Sequence, residues 1–238
     1  MNNIPKHIAI IMDGNRRWSV KHGLPYVEGH KESLKRIEEI IELAVEKKVK
    51  YLTLWAWSTK NWKRNPEFIK DIIKLFRENL TEKGIFGRAI KKGAKLHHIG
   101  TLDKWPKDIQ QKVPKLIAKD PKNKVIDVNL ALGYEGRDEI IRSIKKLVST
   151  YKLPTINSKL TQEFFSNMLD TSHCPDVDLM IRTGGELRTS GFLIWQIANA
   201  ELYFTKTLFP DFGKEALQKA LNNYSKRERR LGGDSKKY

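Results

Sequence analysis

Along this chain, short runs of β-branched, aliphatic and aromatic residues alternate with longer stretches whose apolar positions recur every three or four residues. The short runs fall at 7–12, 50–57, 94–99, 124–132, 178–182 and 201–205, and their length and composition predict strands. The longer stretches predict helices. Residues 28–48 set Leu34, Ile37, Ile40, Ile41, Ala44 and Val45 on one face with charges elsewhere. Residues 66–83 open with Pro66, which suits a first helical turn, and align Phe68, Ile72, Leu75 and Phe76. Weaker helical periodicity runs through 106–118, 136–149, 161–169 and 214–228.

Strands alternating with helices predict an α/β fold, a mostly parallel sheet with helices on both faces. The reading is a single domain over 1–238 with a basic C-terminal segment near 225–238. In such sheets ligands gather at the carboxyl ends of the strands. Three polar, basic loops leave predicted strands there. Asp13-Gly14-Asn15-Arg16-Arg17-Trp18 follows the first, and Ser58-Thr59-Lys60-Asn61-Trp62-Lys63-Arg64 follows the second. Residues 182–192, with Arg182, Gly184, Gly185, Arg188, Thr189 and Ser190, follow the fifth.

Composition narrows the class. With 238 residues, 39% of them hydrophobic, the chain can bury a large core. No apolar run approaches the roughly 20 residues that span a bilayer. The first is cut off by Asp13, so the expectation is a cytoplasmic protein without a signal peptide. A single cysteine, Cys174, forms no internal disulfide and is expected to be inert. The formal net charge of +17 suggests a polyanionic partner: nucleic acid, anionic lipid or a phosphorylated substrate. The 32 lysines are spread along the chain. The 13 arginines are not; eight lie at Arg16, Arg17, Arg64, Arg182, Arg188, Arg227, Arg229 and Arg230. Arginine grips phosphate through a planar two-pronged donor set, so the clustering predicts phosphate sites. No nucleic-acid-binding module occurs, and none is expected as partner.

Each candidate has a bland alternative. Asp13 is a helix N-cap or a Mg2+ ligand, since Mg2+ takes one or two carboxylates and completes its shell with water and phosphate. Gly14 permits close backbone approach, and the amides of 14–17 at a helix start favour an anion. His30, after Gly29, is a capping residue or a diphosphate donor; His97 and His98 read as structural. Asn61 and Arg64 cap a helix near Pro66 or stand polar at the mouth of an apolar strand. Trp55 and Trp57 read as core. Glu201, a carboxylate amid apolar residues, is an ion-pair partner or a second metal ligand.

Together these blocks resemble the cis-prenyltransferase family, that of undecaprenyl diphosphate synthase. The resemblance runs from His7–Asn15 through Gly133–Ile140 to Arg227–Gly233, with blocks in family order. It implies a six-stranded, mainly parallel sheet ringed by helices, a homodimer, and a hydrophobic tunnel for a growing chain. The implied reaction is Mg2+-dependent condensation of isopentenyl diphosphate with an allylic diphosphate, giving a long polyprenyl diphosphate for an envelope lipid carrier, with peripheral membrane contact. By resemblance, Asp13 and Glu201 hold Mg2+, and Gly14, Asn15, Arg16 and Arg17 cradle the allylic diphosphate beside Trp18 and His30. Ser58, Thr59, Lys60, Trp62 and Arg64 form the second loop, where Asn61 assists proton removal. Arg182, Arg188, Thr189 and Ser190 take isopentenyl diphosphate, and the C-terminal arginines complete the partner subunit's site. Three positions depart from the family pattern. Arg16 stands where many members have glycine, Tyr26 where some have a substrate-contacting arginine, and Lys60 where an acidic residue is usual. Small Ala56 leaves room in the tunnel wall, which favours a long product.

Overall fold

A computed structural model describes residues 3–151, 160–230 and 233. All six apolar runs form strands: β1 (His7–Ile11), β2 (Tyr51–Ser58), β3 (Ala94–Ile99), β4 (Ile126–Tyr134), β5 (Leu179–Arg182) and β6 (Glu201–Phe204). They make one sheet in the order β3-β4-β2-β1-β5-β6, with every pairing parallel. The described helices are α1 (Asn15–Lys21), α2 (Tyr26–Glu46), α3 (Pro66–Asn79), α4 (Ile85–Lys91), α5 (Lys107–Ile117), α6 (Gly136–Thr150), α7 (Gln162–Ser166) and α8 (Lys214–Ser225). The Leu231-Gly232 end of the C-terminal block lies outside the described residues.

α1 was expected only as a helix start at 14–17, and α4 was not predicted as a separate helix. Seven-residue α1 starts inside the first polar loop and fully buries Ser19 but none of its apolar side chains, so it carries little apolar periodicity. The stretch expected as one helix over 66–83 ends at Asn79, and α4 begins after a tight reversal. A side-chain carbon at Gly84 would meet the Asn79 carbonyl oxygen at 2.3 Å, and one at Gly87 would meet those of Thr81 and Glu82 at 2.4 Å. Only glycine fits that reversal. The segment expected as helix over 161–169 is helical only at Gln162–Ser166.

Burial on both faces explains the continuous apolar strands. In β1, Ile8 and Ile10 enter a large core shared with α2, α3, α4, α5 and α8. Ala9 and Ile11 turn to a smaller core with Ala131, Tyr134, Met180, Phe192 and Leu193. All nine residues of β4 are buried. Truncating a fully buried residue such as Ile10 to alanine costs about 2–5 kcal/mol. This rigid sheet fixes the carboxyl ends of β1, β2, β4 and β5 along one rim. The β2–β4 register shifts between Trp55 and Ser58, so β2 leaves the ladder irregularly where its loop begins.

Candidate active site

At that rim lies a cavity of about 1170 Å³, above the roughly 300–1,000 Å³ of ordinary small-molecule pockets. One end is apolar, walled by Leu34 and Ile37 of α2, Ile72, Leu75 and Phe76 of α3, and Phe86 of α4. Ala56 lines it, as does Trp55, which was expected in the core; its indole stacks on Phe192 at 4.8 Å. The other end is crowded with cations. Arg16, Arg17, Lys21, Lys60, Arg64, Arg137 and Arg182 line the cavity against two carboxylates, Asp13 and Glu135.

Asp13 is not a side-chain helix cap; Gly14 occupies that position with φ 109°. The Asp13 carboxylate lies between two guanidinium groups, Arg182 at 3.0 Å and Arg17 at 3.2 Å. Arg182 is the anchor, with its side chain 6% exposed. It donates to Ser190 Oγ at 2.8 Å and to the Arg188 carbonyl, so one side chain ties the β1 loop to the β5 loop. Arg17 also donates to the Gly184 carbonyl at 2.5 Å. Gly184 suits this position because its φ of 85° is strained for other residues and a Cβ would also press on the Asp13 backbone at 3.1 Å.

Arg16 and Arg64 form a second group, and no carboxylate among the described residues pairs with either. Asn65, not Arg64 or Asn61, caps α3 through bonds from the amides of Glu67 and Phe68, which leaves Arg64 available. Burial and the Arg16 charge lower the Arg64 pKa. His30 sits among these groups with its Nδ1 buried and without a partner. Burial, then the charges of Arg64 and Arg16, hold its pKa down to about 4, so the ring is neutral at neutral pH. Two unpaired guanidiniums and an unsatisfied imidazole make a strong electrostatic case for an anion.

In the β2 loop, the Asn61 side-chain oxygen accepts from the Ser58 amide at 2.9 Å and the Ser58 hydroxyl from the Lys60 amide at 3.2 Å. Asn61 is thus committed as a local cap and presents its amide N–H groups, which donate and cannot take a proton. Lys60 reaches Glu135, 3.8 Å away at the end of β4. Asn15 and Gly14, besides lining the cavity, hold the loop: Asn15 Nδ2 donates to the Met12 carbonyl, and Gly14 admits Leu208.

Five predicted site residues lie off the cavity wall. Trp18 donates its indole N–H to Asp211 at 2.8 Å and packs on His22. Thr59 opens a 3-10 turn, Thr59–Lys63, and Trp62 joins the Trp57 and Trp105 rings at 5.4 and 5.1 Å. Arg188 points to Glu186 and is largely exposed. Glu201 lies at the other end of the sheet. It starts β6 and is level with Leu179 and Ile8, at the amino end of the sheet, so strand geometry sets it about 15 Å or more from Asp13. Mg2+ ligands lie at about 2.1 Å, so these two carboxylates of one chain cannot share an ion. Glu201 instead pairs with Arg227 at 2.7 Å. Glu135 and Arg137 had no assigned role, although they follow β4 as the strand-end rule requires.

Fold and cavity define an α/β protein with cationic and apolar side chains lining one large cavity at the sheet's carboxyl edge. The family model for undecaprenyl diphosphate synthase matches residues 11–232. The chain is 42% identical to an isoprenyl transferase of Aquifex pyrophilus over 229 residues, covering 96% of both. It is 43% identical to one of Treponema denticola, covering 98% of this chain and 99% of that relative. Among solved structures, lavandulyl diphosphate synthase from Lavandula x intermedia, in complex with dimethylallyl diphosphate, superposes with a TM-score of 0.89 at 29% identity, over 96% of this chain and 98% of that one. A probable undecaprenyl diphosphate synthase from Campylobacter jejuni gives 0.79 at 33% identity, over 98% and 100%. The chain belongs to the undecaprenyl diphosphate synthase family of prenyltransferases and is a prenyl-transferring enzyme of isoprenoid biosynthesis.

Proposed function

We propose that this enzyme condenses isopentenyl diphosphate with an allylic diphosphate such as farnesyl diphosphate, in cis geometry, and repeats the step to build a long polyprenyl diphosphate. One observation carries the reading: a single cavity joins a cationic rim to an apolar tunnel, which suits a charged head on a hydrocarbon tail. The dimethylallyl diphosphate in the lavandulyl diphosphate synthase complex supports an allylic diphosphate as ligand.

In this reading Arg16, Arg17, Arg64 and His30 hold the allylic diphosphate and offset charge that gathers on it as it leaves. Arg182 orders Ser190 and Thr189 around the second diphosphate and brings its double bond to the allylic carbon. Most of the acceleration then comes from orientation and fixed charge. The tunnel walls exclude water from the reacting carbons and take up the lengthening tail. The residues present fit Mg2+ as a one-carboxylate site. Asp13 faces the cavity with lone pairs beyond those its two arginines use, and substrate phosphates would supply the remaining oxygens. Bound there, the ion would neutralise diphosphate charge.

The working form is proposed to be a homodimer. Ile141, Ile144 and Val148 form an exposed apolar stripe on α6, and edge strand β6 exposes Leu202. No described helix is long and apolar enough to cross a membrane, and the proposed membrane contact is peripheral. The test is incorporation of labelled isopentenyl diphosphate into farnesyl diphosphate with and without Mg2+, with chromatography of the products. Labelled long chains made only with Mg2+ support the proposal; no incorporation, or a single short product, overturns it.

A further inference from the structure

Arg16 and Tyr26, on the two helices of the α1–α2 hairpin, meet each other in space. Arg16 is the second residue of α1 and Tyr26 the first of α2. The Arg16 guanidinium carbon lies 4.5 Å from the centre of the Tyr26 ring and 5.8 Å from that of Phe68. Both Arg16 and Tyr26 line the cavity. Arg16 is exposed and has no carboxylate partner, so without the ring its long side chain would sample many rotamers in water. A guanidinium lying over an aromatic face is held by its own face and keeps its N–H edge available to a phosphate. Across the same pocket stand Arg64, 5.5 Å from the Phe68 ring, and the unpartnered Nδ1 of His30.

We infer that Tyr26 is a positioning residue: its ring holds the Arg16 guanidinium at the cavity wall, with the N–H edge turned to a phosphate bound there. This rests on the proposed function only for the identity of the phosphate ligand, the allylic diphosphate. It gives Tyr26 a role that acts through Arg16 and makes the pair one unit. Arg16 without its platform, and the platform without Arg16, are both expected to lose the contact.

The experiment measures inorganic diphosphate binding by calorimetry, and KM for the allylic primer and for isopentenyl diphosphate, in one variant set. Arg16→Ala should weaken diphosphate binding and raise the primer KM about tenfold, with the isopentenyl diphosphate KM moving less than about twofold. Tyr26→Ala should raise the primer KM about threefold to fivefold at unchanged kcat, while Tyr26→Phe keeps the wild-type value. Adding Tyr26→Ala to Arg16→Ala should cost nothing more. Additive effects of the two alanine variants, or equal rises in both KM values, would overturn the inference. The calorimetry decides it even if prenyl transfer from the chosen primer is not seen, an outcome that would count against the proposed function alone.

Discussion

The two ends of the parallel sheet are built from similar polar residues but satisfy them differently. At the amino end, His7 Nδ1 meets the Pro175 carbonyl and Nε2 meets Thr53 Oγ1, both at 2.7 Å. Because a carbonyl only accepts, the proton sits on Nδ1, and Nε2 accepts from the Thr53 hydroxyl. Asn129 donates to that hydroxyl and bonds His173, while His97 bonds Asp127. Arg227 and Arg229 find Glu201 and Asp178. At the carboxyl end, Arg16 and Arg64 find no carboxylate among the described residues, and the buried His30 Nδ1 makes no well-aligned hydrogen bond beyond a weak approach to the Tyr26 carbonyl. Left-handed non-glycine backbone occurs at both ends, at φ 54° for Ser190 and 46° for Leu193 on the carboxyl side and 62° for Lys48 before β2. The pairing at the amino end is fuller but not complete, since the buried Arg229 Nε finds no partner there; at the carboxyl end whole guanidinium groups lack a carboxylate, as a ligand site requires.

The largest expected effect tests the carboxyl end. Asp13→Ala should lower kcat by about 10²–10³-fold, measured by label incorporation, since it removes the carboxylate around which Arg17 and Arg182 are arranged. Activity within a few-fold of wild type would break the assignment of this edge as the site. Next is pH. Burial holds both His7 and His30 down to about 4, against an ordinary value of 6.5. The unfolded chain binds protons near 6.5 that the folded chain refuses until about 4, so stability falls as pH drops across that window. Each histidine contributes roughly 3 kcal/mol to the loss, read as denaturant midpoint against pH. Saturating inorganic diphosphate should flatten the His30 share, because an anion favours the charged ring, and leave the His7 share intact. Flattening of the whole slope would show the two ends to be coupled.

A smaller effect is expected from Asn129→Ala at the amino end. It strands Thr53 and His173 and should cost about 1–3 kcal/mol in chemical denaturation while both KM values stay put. The smallest is Glu135→Gln, which removes the charge facing largely solvated Lys60. A stability change under about 1 kcal/mol is expected, with a steeper salt dependence of KM than in wild type as Lys60 is freed toward phosphate.

Much of the site was legible because strand ends advertise it. The loops after β1, β2 and β5 were located from apolar runs stopping at Asp13, Ser58 and Arg182. Residue type alone could not say which side chains of a loop face inward. Trp18 and Trp62 share loops with true cavity liners, yet Asp211 and Trp105 claim them, and both claimants are distant in sequence. Cys174 was read as inert, and burial does push its thiol up to about 12. The apolar cavity lining was visible as the apolar faces of 28–48 and 66–83, but nothing in those faces distinguishes a wall from a core.

By itself, then, the sequence determined the alternation of strand and helix, the sheet edge where chemistry gathers, and the family. These follow from local periodicity and from residue types placed at chain reversals, which neighbours in sequence decide. Only the tertiary structure decided which charges are matched. Glu201 and Asp13 looked alike as carboxylates beside apolar runs, but parallel pairing sends the start of β6 to one end of the sheet and the loop after β1 to the other. Arg16 and Tyr26 looked like two separate departures until the α1–α2 turn laid one upon the other. Electrostatic pairing depends on distance in space, and that distance is set by how the strands pair and how the helices pack.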